Sequence, residues 1–189
     1  MESEYVEQMQ KQRKEKDRFF KNHPQSPLPQ NHKETFSGLS YYPVDPALQF
    51  ILSLKEHENK ETIRIEDSKG GIQSFLRWGQ FTFQINDVPY VLQAYKSNPN
   101  DSHLWIPFRD ATNNKETYGA GRYIDLTEGN DTIDNQWILD FNLAYNPFCA
   151  YSENYVCPFI PPENWLERPI NAGEKLYNES EKTTDVKLE

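Results

Sequence analysis

The sequence predicts a mainly β fold, an antiparallel barrel or sandwich carrying an N-terminal helix and a long C-terminal covering loop. Two observations point there: apolar residues recur with a period of two over much of residues 48–141, and short runs of turn-forming residues separate them every 8–15 positions or so. A third excludes the main competitor: no strand–helix–strand alternation appears, so a doubly wound parallel sheet is not expected. The 189 residues suit one ordinary domain with a short appendage.

The elements follow in order. Residues 3–21 are highly charged, lack Gly and Pro and are rich in helix formers, and Tyr5, Met9, Lys16 and Phe20 form a narrow stripe. This predicts one amphipathic helix over 1–22, lying on the outside of the domain and anchored by Phe19 and Phe20. Pro24, Pro27 and Pro29 end it and make 23–35 a linker. The β domain then spans 36–178. Leu48, Phe50, Leu52 and Leu54 alternate with polar or outward residues, and Ile63 and Ile65 repeat the pattern before the turn Asp67-Ser68-Lys69-Gly70-Gly71. Ile72–Trp78 and Phe81–Ile85 follow, and Asn86-Asp87 predicts a tight hairpin into Val88–Tyr95. Leu104–Ile106, Tyr123–Leu126 and Trp137–Phe141 supply three more strands. Residues 142–169 lose periodicity and are rich in Pro, Asn and Tyr, which predicts an ordered or functional cover. Residues 179–189 read as a disordered tail.

Composition excludes several roles. Lys and Arg total 20 against 29 Asp and Glu, a formal charge of −9, which speaks against tracking a nucleic-acid backbone. No apolar run approaches the roughly 20 residues of a membrane helix, and the first residues carry no apolar core of a secretion signal. Two cysteines are too few for a disulfide-stapled secreted domain. The expectation is a cytoplasmic protein with neither nucleic-acid nor membrane partners.

The residues able to do chemistry gather in two stretches. Arg109-Asp110 ends one strand, and Glu116-Thr117-Tyr118-Gly119-Ala120-Gly121-Arg122 leads into another. Arg109 and Arg122 could grip an anion in bidentate fashion, or join Asp110 and Glu116 in an internal salt-bridge network. Gly-x-Gly precedes a strand here, so it is no phosphate loop; its glycines permit left-handed backbone or close approach. In the second stretch, Asp140, Asn142, Tyr145, Asn146 and Cys149 could present donors and acceptors to a polar molecule or satisfy their own loop. Cys149 and Cys157, eight positions apart with scattered histidines, make no zinc pattern, and His103 is the one histidine in the sheet region that could serve a cysteine nucleophile. Asp110, Glu116, Asp125, Asp140 and Glu163 are candidate acid–base carboxylates. Trp78, Phe81, Phe83, Trp105, Tyr123 and Trp137 could wall a pocket or fill a core. No cofactor follows from these motifs.

Five motifs occur together in order: Gly38-Leu39-x-Tyr41-Tyr42-Pro43-Val44-Asp45-Pro46; Ile106-Pro107-Phe108-Arg109-Asp110; Glu116 to Tyr123; Asp140-Phe141-Asn142-x-Ala144-Tyr145-Asn146-Pro147-x-Cys149-Ala150-Tyr151; and Cys157-Pro158-x-x-Pro161-Pro162-Glu163-Asn164. In this the chain resembles domain-of-unknown-function family 1684, found in bacteria and archaea, from about Lys16 to Tyr177. The resemblance implies membership and no activity. It marks Arg109, Asp110, Glu116, Tyr118, Gly121, Arg122, Asp140, Asn142, Tyr145, Asn146, Cys149, Glu163 and Asn164, and the chain departs from it at Trp165, where the family tends to a smaller or basic residue.

The expected function is binding of a small polar or anionic metabolite in a pocket at one end of the sheet, where the turn 109–122 meets the loop 140–164. A hydrolase or isomerase with Asp140 or Glu116 as base and Arg122 stabilising negative charge is the enzymatic alternative. A structural or interaction protein using edge strands or the charged helix is the third.

Overall fold

The computed structural model describes residues 2–177; the expected tail at 179–189 lies outside the described residues. Helix α1 spans Glu2–Asn22. Its apolar contribution is small, with Met9 and Phe20 buried, and polar pins complete the docking. Tyr5 donates to Asp140 at 2.7 Å, Arg13 to the Tyr42 carbonyl at 2.8 Å, and the Asp17 carboxylate accepts from the Leu39 amide at 2.8 Å. Phe20 packs with Leu28, Phe36 and Tyr151, while Phe19 stacks on His23 at 4.6 Å. The stretch 23–35 is therefore packed. It includes a short helix α2 (Gln30–Thr35) starting after Pro29, whose fixed φ of −55° suits a helix entry.

Eight strands follow: β1 (Gln49–Leu52), β2 (Lys55–Glu66), β3 (Ile72–Ile85), β4 (Val88–Lys96), β5 (His103–Phe108), β6 (Arg122–Thr127), β7 (Thr132–Ile133) and β8 (Gln136–Asp140). They form two antiparallel sheets, in the orders β2-β3-β4-β5-β6 and β1-β8-β7. Among the described residues the pairing does not run round into a closed barrel. The β3–β4 turn is Asn86-Asp87, with φ of 52° and 62°, a geometry that Asn and Asp tolerate and that matches strand twist. Asp134-Asn135 repeats it between β7 and β8. No helix among the described residues is long and apolar enough to cross a membrane.

The core lies between one face of the large sheet and the small sheet. Phe81, Phe83, Leu92, Leu104, Ile106, Phe108, Ile124 and Leu126 meet Leu139 and Phe141, with Phe83–Phe141 and Phe108–Phe141 ring centroids 5.4 and 5.3 Å apart. Each such side chain removed from water contributes roughly 2 kcal/mol. Of the aromatic residues singled out from sequence, Phe81 and Phe83 are core, Trp78 and Trp137 flank it, and Trp105 and Tyr123 lie on the opposite face of the sheet.

That opposite face is crossed by residues 142–169, a strap tied down point by point. Its Phe159 amide donates to the Glu66 carbonyl on β2, its Pro158 carbonyl accepts from Tyr123 Oη at 2.7 Å, and Leu166 and Asn164 exchange backbone hydrogen bonds with Arg109. Asn164 closes a gap in the sheet. Strands β4 and β5 share one register pair, Tyr95↔Trp105, and beyond it β5 carries Pro107, which has no N–H to give. The buried Asn164 side chain stands in for the missing rung: its Nδ2 donates to the Gln93 and Pro107 carbonyls at 2.9 and 2.7 Å, and its Oδ1 accepts from the Gln93 amide at 2.8 Å. Asn164→Ala leaves three backbone groups unpaired and should lower the unfolding free energy by about 3 kcal/mol or more, measured by urea denaturation.

Candidate functional site

The strand register decides what each arginine can do. Arg122 pairs with Phe108 and shares a face with Ile124 and Leu126, so it points into the core; Arg109, one position beyond Phe108, has the parity of Trp105 and Pro107 and points to the strap. The two do not edge one hollow. Arg122 is fully buried and bonds Asp110, equally buried, at 2.7 Å. Its remaining terminal N–H groups go to the carbonyls of Ile170, Ala172 and Glu174, and its plane lies over the Phe108 ring at 5.2 Å. Asp110 also accepts from the Thr112 amide and hydroxyl at 2.7 and 2.5 Å. Of the four-residue network expected from sequence, the structure forms the Arg122–Asp110 pair, with Glu116 on Lys175 and Arg109 outside it, and Arg122 is thereby held away from any developing charge on a substrate.

Most of the amide-rich stretch serves the interior as well. Buried Asp140 accepts from Tyr5, Gln49 and the Asn142 amide, and the Asn142 side chain donates to the Asp45 carbonyl at 2.8 Å. Asn146 donates to the Lys175 carbonyl. Tyr145 donates to Asp125 at 2.5 Å. Glu116 is exposed and meets Lys175 at 3.5 Å. Neither carboxylate of the enzymatic alternative faces Arg122 across an open space. The sequence reading missed Glu174, a buried carboxylate that accepts from the Asn146 amide and Tyr151 Oη at 2.8 and 2.6 Å and pairs with Lys16 of α1. Its partners are remote in sequence, so nothing near it in the chain gives it a role.

Arg109 and Glu163 share one groove. Between β2 and the strap runs a groove of about 570 Å³ whose apolar walls include Ile63, Ile65, Phe159, Ile160 and Trp165, with Arg64, Glu66, Arg109 and Glu163 as its charged lining. Phe159 and Trp165 are 47% and 51% exposed. Arg109 lies against the Trp165 ring, 4.7 Å from its centroid, and makes no ion pair among the described residues. Glu163 is already engaged: Arg77 Nη1 is 3.0 Å from it and Tyr95 Oη donates at 2.6 Å, which with burial raises the Tyr95 phenol. Gly121, at φ +101°, lets Ile160 sit directly on the backbone, because a Cβ there would collide with the Ile160 side chain and the Phe108 carbonyl.

On the other side of the strap, Tyr123, Tyr145, Phe148, Tyr155 and Cys157 border a smaller hollow of about 250 Å³. Cys149 and Cys157 are free thiols in contact. The hydrogen bond from Cys157 pulls the Cys149 thiol down to about 7, burial opposes that, and Tyr118 Oη, 3.8 Å away, adds to it. The Cys157 thiol is correspondingly raised by the same bond and by burial. His103 pairs with Asp101 instead, at 3.2 Å, and serves neither sulfur. No group of three or more metal-binding side chains occurs among the described residues.

Comparison with known proteins adds a family and a fold. The model of the family described as "Protein of unknown function (DUF1684)" matches residues 34–175. The solution NMR structure of an uncharacterized protein of Haloarcula marismortui is similar, at 38% identity and a TM-score of 0.71, over 95% of this chain and 97% of that one. No curated protein matches.

The two arginines are separable by stability. Removing one partner of a buried ion pair leaves the other charge uncompensated, so Arg122→Ala should cost about 3–5 kcal/mol in urea unfolding. Arg109→Ala, which breaks no ion pair, should stay within about 1 kcal/mol of the parent chain.

Proposed function

We propose, for a chain that belongs to the DUF1684 family of proteins of unknown function, that it binds a small amphipathic carboxylate in the groove between β2 and the strap. The observation that carries the reading is Arg109: a guanidinium held flat by Trp165 at the end of an apolar trough, with no acid of its own among the described residues. A planar, permanently charged fork of this kind matches a carboxylate in bidentate geometry. Ile63, Ile65, Phe159 and Trp165 would take the ligand's apolar or aromatic body. The groove has the size and the mix of apolar wall with few polar groups that ligand sites share, and exposed Phe159 and Trp165 gain from being covered.

Glu163 supports the selectivity. With its carboxylate bound by Arg77 and Tyr95, it does not compete for Arg109, and it would repel a second negative charge placed beside it. The reading is of binding, because neither thiol lines this groove and the Glu163 carboxylate in it is already taken up by Arg77 and Tyr95. Free thiols fit a reducing compartment, and a cytoplasmic location belongs to the same proposal.

The test is titration with a panel of phenylacetate, indole-3-acetate and 4-methylpentanoate, each beside its primary amide, followed by tryptophan fluorescence and amide chemical shifts. The carboxylates should perturb the Trp165 signals and the amides should bind about tenfold more weakly, the worth of a charge-assisted hydrogen bond. Arg109→Ala should weaken the carboxylates by the same factor. If no panel member moves Trp165, or if acids and amides bind alike, the reading fails.

A further inference from the structure

The strap carries a second site that the groove does not use. Cys149 sits in a 3-10 turn, Phe148–Ala150, and is half-buried; Cys157 lies eight residues on, at the point where the strap joins β2 through the Asp67↔Pro158 bridge. The chain between them doubles back, so the two sulfurs meet as thiols, with Tyr118 donating its hydroxyl to Cys149 Sγ at 3.8 Å. The roles are unequal. Tyr118 directs its hydroxyl at Cys149, which is half-buried, whereas Cys157 is buried, its backbone amide fixed to Ser68 Oγ at 3.2 Å. Tyr123 faces both sulfurs from β6. The hollow bordered by Cys157, Tyr123, Tyr145 and Phe148 opens beside the buried sulfur, next to the turn that carries Cys149, and is large enough for a small oxidant.

We infer that Cys149 and Cys157 form a peroxide-reactive dithiol, Cys149 as the attacking sulfur and Cys157 as the resolving one, which closes to an intrachain disulfide. The thiolate is the nucleophile in such chemistry, and the hydroxyl that Tyr118 directs at Cys149 favours its ionised form, in keeping with the downward shift of that thiol to about 7. In the first step Cys149 Sγ attacks one oxygen of hydrogen peroxide. The S–O bond forms as the O–O bond breaks, and the departing hydroxide takes the proton the thiol gave up and leaves as water, giving a sulfenic acid. In the second, Cys157 Sγ attacks Cys149 Sγ. The S–S bond forms, the S–O bond breaks, and the hydroxide leaves with the Cys157 proton as a second water. Two thiols have lost two electrons to one peroxide. Preformed contact between the sulfurs makes the second step intramolecular and spares Cys149 from overoxidation.

The test uses the full chain, reduced and then freed of reductant, treated with a small excess of hydrogen peroxide and followed by intact mass and non-reducing peptide mapping. The parent chain should lose two hydrogen atoms, yield a peptide cross-linked between residues 149 and 157, form no disulfide between chains, and return to its starting mass on reduction. Cys157→Ser should instead gain oxygen on Cys149, trapped by dimedone. Cys149→Ser should leave Cys157 unmodified over the same interval. Tyr118→Phe, which deletes a hydrogen bond and little else, should slow the loss of thiol about fivefold, a readout that does not require the cysteine variants to fold. The inference is overturned if the parent chain gains oxygen without the cross-link, if the disulfide forms only between chains, if Cys149→Ser oxidises as fast as the parent, or if Tyr118→Phe leaves the rate unchanged. Ligand binding at the groove plays no part in these outcomes.

Discussion

A guanidinium in the middle of an apolar core is the constraint around which the rest of this fold is arranged. Arg122 stands on the inward face of β6, where its neighbours are Ile124, Leu126 and Phe108. A bare charge there would cost many kcal/mol, so the chain must bring acceptors to it. Asp110 supplies the countercharge, and the turn that follows it is folded back by Thr112, Asn113 and Thr117 so that its carboxylate is held in place. The remaining acceptors are backbone carbonyls of Ile170, Ala172 and Glu174, which obliges the last described segment to run past the sheet in an extended form. Gly173, at φ +74°, turns that segment against the Ala144 and Phe141 carbonyls, where a side chain has no room. Pairing the two terminal nitrogens of one cation thus fixes a turn, a strand end and the closing segment together.

The strap answers a second requirement, to cover a sheet face without adding strands to it. Proline decides how it does so. Pro158, Pro161 and Pro162 have no N–H to offer, so the strap cannot zip along the edge of β2 and touches it only at intervals. Side chains take over where backbone pairing is denied: Asn164 bridges β4 and β5 beside Pro107, and Glu163 reaches Tyr95 and Arg77. The intervals between contacts are the hollows. The groove with Arg109 and the smaller hollow beside Cys157 lie on the two sides of one proline-punctuated segment, and both owe their existence to incomplete pairing rather than to a barrel interior.

What could be read from the sequence follows the range of the interactions. Period-two alternation placed the long strands, and Asn86-Asp87 fixed a hairpin, because both are set by neighbours a few residues apart. The two-residue strand β7 and helix α2 are too short to leave a period. Closure of the sheet is decided by pairings between distant strands, which alternation cannot report. The site divides in the same way. That Arg122 faces inward and Arg109 outward was legible in principle: counting by twos from Leu126 and Ile124 reaches Arg122, and counting from Trp105 through Pro107 reaches Arg109. The helix pins were not legible, since Tyr5 finds Asp140 across 135 positions and Lys16 finds Glu174 across nearly the whole chain.

The residues shared with the family divide by the same geometry. Asp110, Arg122, Asp140, Asn142, Asn146 and Asn164 are interior and spend their donors and acceptors on the backbone of this chain, so their recurrence in one order is what a fold with these buried polar joints demands. Arg109 is different, because its side chain satisfies no buried group and lies on a tryptophan at a cavity wall. The walls around it, Phe159, Ile160 and Trp165, fall at the unspecified positions of the last motif or just beyond it. A cation that the interior does not use, at the wall of an apolar trough, is where the charge of a ligand would be met.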